Sequence, residues 1–198
     1  MTSEAITFYN DWHKTKGINS WRKLNDYQTV VDSLCPSPYK NILDIGCGTG
    51  HLLKLFSQYK METYGIDISE IGVEIARRNS PNSNIIIADG ENIPYADKYF
   101  DIVTCLGALE HFDNIEKGYS EIVRVCNTYG LIYISVPNKY FPVKFSIQKE
   151  VKLSLEEWIK IFEKDNIKIL EIKKDNKYRW LWTPMKYAYQ YAFIMRKY

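Results

Sequence analysis

Residues Ile42 to Gly50 read Ile-Leu-Asp-Ile-Gly-Cys-Gly-Thr-Gly, an apolar run that ends in Asp44 and then sets Gly46, Gly48 and Gly50 at alternate positions. A short strand that delivers a carboxylate to a turn without side chains suits a charged, nucleotide-like cofactor lying against bare main chain. Further acids recur at regular places. Asp67 closes Tyr-Gly-Ile-Asp-Ile-Ser, and Asp89 opens Asp-Gly-Glu-Asn-Ile-Pro. A later apolar run, Phe-Asp-Ile-Val-Thr-Cys-Leu, leads into Gly-Ala-Leu-Glu-His. A carboxylate such as Asp67 can accept two hydrogen bonds from the vicinal hydroxyls of a ribose. Asp89 can accept the exocyclic amine of adenine, with the main chain of Gly90 and Glu91 beside the ring. The Asp44–Gly50 loop would then face the amino-acid part of the ligand. Plainer readings stand beside these: an N-cap or turn aspartate for Asp67, and an ordinary Asp-Gly turn for Asp89.

These residues need elements to position them. Apolar spacing of Ala5, Phe8, Tyr9 and Trp12, and again of Leu24, Tyr27, Val31 and Leu34, predicts two opening helices broken at Gly17. Pro36 and Pro38 end the second. Short strands then alternate with amphipathic helices. Strands are expected at about 41–45, 62–67, 85–88, 100–106, 131–136, 167–172 and 189–197. Ser69 caps a helix reaching Arg78, Ile115 to Val123 forms another, and Ser154 with Glu157 makes a capping box before Leu155, Trp158, Ile159 and Phe162. That alternation implies an α/β fold, a mostly parallel sheet covered on both faces. In such sheets ligands lie beyond the carboxyl ends of the strands, where the strand order reverses.

The chain has 198 residues with 45% hydrophobic content, which fits a single domain with a sizeable core. No apolar run is long enough to span a membrane, and the first dozen residues do not resemble a secretory signal. Cys35, Cys47, Cys105 and Cys126 are scattered without a CxxC pair, so free thiols and a reducing, cytoplasmic setting are expected. Residues 1–138 hold 12 Lys+Arg against 17 Asp+Glu, and residues 139–198 hold 14 against 7. The basic tail reads first as a solvated face. Its aromatics (Tyr178, Trp180, Trp182, Tyr187, Tyr189, Tyr191 and Phe193) read first as packing. The sharper alternative is a lipid-bearing acceptor or a membrane-surface contact beside Lys177 and Arg179.

Five motifs in register resemble a class I S-adenosylmethionine-dependent methyltransferase of the small, type 11 kind. They are Ile42–Gly50, Tyr64–Ser69, Ala88–Tyr95, Phe100–Phe112 and Leu131–Pro137. The resemblance covers about 40–137, with a looser match onward. It implies a Rossmann-like three-layer sandwich whose seventh strand runs antiparallel, a helical lid at 1–35, a cofactor-binding core at 40–137, and a substrate-side half at 138–198. It implies S-adenosyl-L-methionine held by Asp44, Gly46, Cys47, Gly48, Gly50, Asp67, Ile68, Asp89, Gly90, Glu91 and the main chain near Leu106. Tyr9, Trp12 and His13 would cover the pocket.

Methyl transfer from a sulfonium is an in-line displacement that chiefly needs alignment and exclusion of water. A base is required only where a hydroxyl proton must leave. His111, taken as the one histidine near the site, is the candidate for that role. The Asn/Asp-Pro-Pro-aromatic motif of enzymes acting on planar nitrogens is absent after strand four. Metal-assisted relatives carry Glu-x-x-Glu-His there; with Gly107 in place of the first glutamate, only Glu110 and His111 remain, so no metal is expected. A small-molecule acceptor methylated at oxygen is the leading reading, and nucleic acid is disfavoured because dedicated RNA-binding elements are absent. A macromolecular acceptor or a non-catalytic cofactor-binding subunit is the alternative. A nicotinamide dehydrogenase would want Gly-x-Gly-x-x-Gly, which the loop does not supply.

Overall fold

Seven apolar runs pair into one sheet. In the computed structural model, which describes residues 2–18, 22, 24–141, 150–164, 166–175, 185 and 188–198, the strands begin with β1 (Asn41–Ile45), β2 (Glu62–Asp67) and β3 (Asn84–Ile87). β4 (Phe100–Leu106), β5 (Cys126–Pro137), β6 (Ile167–Asp175) and β7 (Gln190–Lys197) complete them. Their order is β3-β2-β1-β4-β5-β7-β6. All neighbours through β5 run parallel, whereas β7 lies antiparallel between β5 and β6. The chain therefore builds outward from β1 to β3 and then returns to place β4 on the other side of β1. The carboxyl ends of β1 and β4 flank the crevice that this reversal creates.

Among the described residues six α-helices cover the sheet: α1 (Ser3–Lys16), α2 (Leu24–Leu34), α3 (His51–Ser57), α4 (Glu70–Asn79), α5 (Ile115–Val125) and α6 (Leu155–Phe162). Side chains alternate across a strand, so neighbours in β1 serve opposite layers. Leu43 and Ile45 pack with Tyr119 and Ile122 of α5 and with Trp158 and Phe162 of α6. Ile42 packs instead with Val30, Val31 and Leu34 of α2 and with Leu52 and Phe56 of α3. Each such side chain, fully buried, stabilises the fold by about 1.5–3 kcal/mol. Trp158 Nε1 donates to the Pro137 carbonyl at 3.0 Å and Tyr119 Oη to the Phe162 carbonyl at 2.8 Å, so these two buried aromatics carry no orphaned donor.

Several boundaries differ from the sequence expectation. β5 starts at Cys126 rather than Leu131, because Cys126 pairs with Phe100 before a register shift that leaves Tyr129 at a positive φ. Asn-Thr-Tyr-Gly, placed before the expected strand, is thus an irregular part of it. β3 stops at Ile87, and Ala88 instead donates its N–H to the Asp67 carbonyl from the following loop. β6 runs to Asp175 because β7 pairs with it along its length. In α2 the buried face is Val30, Val31 and Leu34, while Leu24 is 62% exposed. Among the described residues no helix is long and apolar enough to cross a membrane. Tyr178, Trp180, Trp182, Tyr187, Lys177 and Arg179 lie outside the described residues.

Candidate active site

The glycine loop is held by main-chain bonds before any ligand is considered. The N–H groups of Gly46 and Cys47 both donate to the Ile66 carbonyl, at 2.9 and 3.0 Å, so the turn after β1 folds over the end of β2. Gly46, Gly48 and Gly50 all have positive φ, between 51° and 75°, which is why alternate positions must be glycine. Asp67 finishes the turn. Its Oδ2 accepts from Gly48 N and its Oδ1 from Ser69 N, each at 2.8 Å. Burial raises the Asp67 carboxyl, and the two N–H donors pull it back. Ser69 caps α4 by accepting from Gly72 N. Asn10 Oδ1, reaching across from α1, accepts from Ser69 Oγ and Ile71 N, and so ties the first helix to the start of α4.

A cavity opens above this turn. Gly46, Cys47, Gly48, Asp67, Ile68, Gly90 and Leu106 line it, together with Tyr9, Trp12 and His13 from α1 and His111 from the 3-10 turn at Leu109–His111. The remaining expected residues do not line it. Asp44 lies beneath the loop, 4% exposed, where its Oδ1 accepts from Thr104 Oγ1 at 2.7 Å. Burial pushes its carboxyl up to about 7 against the pull of Thr104. Gly50 sits at the N-cap of α3, packed on Ala76. Asp89 Oδ1 accepts from Glu91 N, shaping its own turn. Glu91 is buried, and its Oε1 accepts from Asp113 N at 2.7 Å, so its side chain ties the loop after β3 to the segment after the 3-10 turn.

His111 is not the only histidine at the cavity, which corrects the sequence reading. His13 is buried against the glycine loop, its ring within 4 Å of where side chains at Gly48 and Gly72 would begin. Burial lowers its pKa and the Asp67 charge opposes that. His51 does not line the cavity; its Nε2 lies 2.7 Å from the Ile18 carbonyl and its ring stacks on Tyr27. Tyr9 meets the edge of His111 at 5.9 Å between ring centres.

Sequence reasoning missed Arg22, Tyr27, Thr49, Ala88, Gly107, Ala108 and Phe112, all of which line the cavity. Arg22 lies between α1 and α2 and donates through Nη2 to Ser135 Oγ at 2.6 Å and to Gln190 Oε1 at 3.0 Å. Phe112 is wedged between two glycines: a Cβ at Gly90 or Gly118 would fall within 2.3 Å of its ring. A Gly four residues before a helix-face Ile, in a helix otherwise free of breakers, was the available signal for that contact.

A family profile described as a methyltransferase domain matches residues 43–134. The chain is 32% identical over 177 residues to the uncharacterized protein MJ0638 of Methanocaldococcus jannaschii, covering 84% of this chain and 76% of that one. It is 29% identical over 153 residues to the uncharacterized methyltransferase YcgJ of Bacillus subtilis, covering 68% and 60%. The chain spans about half the length of several of the curated relatives it matches. Its fold is similar to that of magnesium protoporphyrin IX methyltransferase from Synechocystis with bound S-adenosylmethionine, with a TM-score of 0.76, 16% identity and coverage of 99% and 96%.

Proposed function

The chain belongs to the class I S-adenosylmethionine-dependent methyltransferase family, and from that membership we propose that it transfers a methyl group from S-adenosylmethionine to an oxygen of a small-molecule acceptor. The observation that carries this reading is Asp67, a buried carboxylate at the cavity wall whose two N–H partners leave lone pairs for a ribose diol. The surrounding residues fit the rest of the nucleoside. Ile68, Ala88, Gly90 and Phe112 offer an apolar slot for a base, and the main chain of Gly46 to Gly48 flanks the opposite end.

When bound, S-adenosylmethionine supplies a methyl group already activated on a sulfonium. The residues of the chain then have three tasks. The loop and Asp67 fix the nucleoside, so that the methyl keeps a constant direction. Tyr9, Trp12 and His13 close the cavity from α1 and limit water. His111 takes the proton of an acceptor hydroxyl, with Tyr9 packed at its edge. Asp44 supports the glycine loop from below, and Asp89 and Glu91 shape the loop that carries Ala88 and Gly90.

Calorimetry with S-adenosylmethionine and its demethylated product tests the binding half, and micromolar association is the expected result. The transfer half is tested by incubating labelled donor with fractionated metabolites, RNA and protein. Label in the metabolite fraction is expected; label confined to a macromolecule would replace the small acceptor. His111→Ala should slow turnover at least tenfold and leave donor affinity unchanged. An unchanged rate would remove His111 from the mechanism.

A further inference from the structure

The first helix is bound to the body in a different way from the others. Helices α2 to α6 all bury apolar side chains, such as Val30, Val31 and Leu34 in α2 and Tyr119, Ile122 and Val125 in α5. In α1 the one buried side chain is His13. It is polar, and its Nδ1 has no hydrogen-bond partner among the described residues. An orphaned nitrogen of this kind opposes docking. A helix without apolar anchors belongs to the least stable part of a fold and opens while the rest stays folded.

Two polar contacts hold α1 down, and both lie at the start of α4. Asn10 Oδ1 accepts from Ser69 Oγ at 2.8 Å and from Ile71 N at 3.3 Å. The His13 ring lies against Gly72, where a Cβ would come 2.9 Å from Cδ2 and 3.0 Å from Nε2. Glycine is unfavourable inside a helix, yet here its bare backbone is what lets the ring approach. Ser69 joins these contacts to the donor site, because its N–H is one of the two that Asp67 holds. At the far end, Gly17 closes α1 at a φ of 57°. The carbonyl of the next residue, Ile18, is held to the body by His51 Nε2 at 2.7 Å and by Thr49 Oγ1 at 3.4 Å. The helix thus has a pinned pivot at one end and a polar latch along its length.

We propose that α1 is a gate on donor exchange: Asn10, His13 and Gly72 form its latch, and closing it positions Tyr9 and Trp12 over the donor, whose entry and departure require the latch to release. What passes the gate rests on the methyltransferase reading; the latch is a property of the chain itself. Tyr9, Trp12 and His13 line the cavity from α1, so they meet a bound donor only when the helix is docked. Donor binding and docking therefore favour each other.

Hydrogen exchange along α1 reads the latch, and dissociation of the demethylated donor from the immobilised full chain reads the gate. In the unloaded chain, α1 amides should exchange faster than those of α5, and the demethylated donor should slow them about fivefold, the scale of one net hydrogen bond. Gly72→Ala displaces the His13 ring, and Asn10→Ala leaves Ser69 Oγ and Ile71 N without their acceptor. Each should speed both α1 exchange and donor dissociation by about fivefold. Asn10→Asp keeps an accepting oxygen and should stay within about twofold of the unsubstituted chain. In a His13→Ala background, Gly72→Ala should add nothing, because the ring it displaces is gone. Full additivity of those two substitutions, or unchanged dissociation in either Gly72→Ala or Asn10→Ala, would overturn the gate. Failure of the demethylated donor to bind would instead sink the methyltransferase reading, and exchange in the unloaded chain would still decide the latch. Alanine favours the α4 helix itself, and unchanged exchange in α5 confirms that each variant keeps its fold.

Discussion

A carboxylate that holds two main-chain N–H groups is both scaffold and binding group, and its removal should register in both. Asp67→Ala leaves Gly48 N and Ser69 N without acceptors and removes the partner assigned to the ribose. Donor affinity should fall by about 1–3 kcal/mol, measured by calorimetry, with little change in the far-ultraviolet circular dichroism. Asp67→Asn should fall between the two, because one carbonyl oxygen still accepts. An unchanged affinity would place the nucleoside elsewhere. Residues of this kind are legible in sequence because the signal is local. Glycines at alternate positions and an acid at a strand end state their geometry within a few residues. Arg22 is the opposite case. It stands between α1 and α2, and its importance arises only because Ser135 and Gln190, more than a hundred positions away, fold back to meet it. Glu110 was legible as a residue but not as a buried one, since a 3-10 turn has no periodicity that distinguishes an inward from an outward side chain.

Elements were legible where hydrophobic period and caps agreed, and less so where pairing decided the boundary. Ser69 and the Ser154–Glu157 capping box sit where their spacing placed them. The start of β5 and the end of β6 depend on partner strands, which no local pattern contains. The way α5 carries the cavity wall is likewise non-local. Gly118 occupies the helix interior, where alanine would ordinarily be better by about 1 kcal/mol. Here a Cβ would come 2.1 Å from Phe112 Cδ2, and Phe112 lines the cavity. Gly118→Ala should therefore destabilise the protein by about 1–3 kcal/mol in urea unfolding, since the overpacked ring must move. Adding Phe112→Leu should recover part of the loss by vacating the space. If Gly118→Ala is neutral or stabilising, Phe112 is not clamped between the two glycines and the wall is softer than its packing implies.

At the scale of the whole molecule, strand-helix alternation made the sheet legible, whereas the direction of β7 came from the family resemblance. A strand buried on both faces shows a continuous apolar run whichever way it points. What the sheet does to the acids at its carboxyl edge gives the molecule a global property. Asp44 and Glu110 are both fully buried, and burial holds their carboxyls up to about 7 and about 8. In the unfolded chain such groups ionise near pH 4. Between those limits the folded state binds more protons than the unfolded one, so raising the pH favours unfolding. Their contribution is complete below about pH 4 and is lost as pH rises through the folded values. Glu121 works in the other direction: Arg124 holds its carboxyl low, and its contribution is lost as pH falls. Stability should therefore peak on the mildly acidic side and decline toward alkaline pH. The melting temperature of the chain should drop by about 5–10 °C between about pH 5.5 and about pH 8.5, the scale of a few kcal/mol for a chain of this size. Asp44→Asn keeps an oxygen to accept from Thr104 and removes one of the two titrations, so its decline should be visibly shallower. A melting temperature that rises across this range, or an identical slope in Asp44→Asn, would mean that the acids at the sheet edge are hydrated and ionise normally in the folded chain.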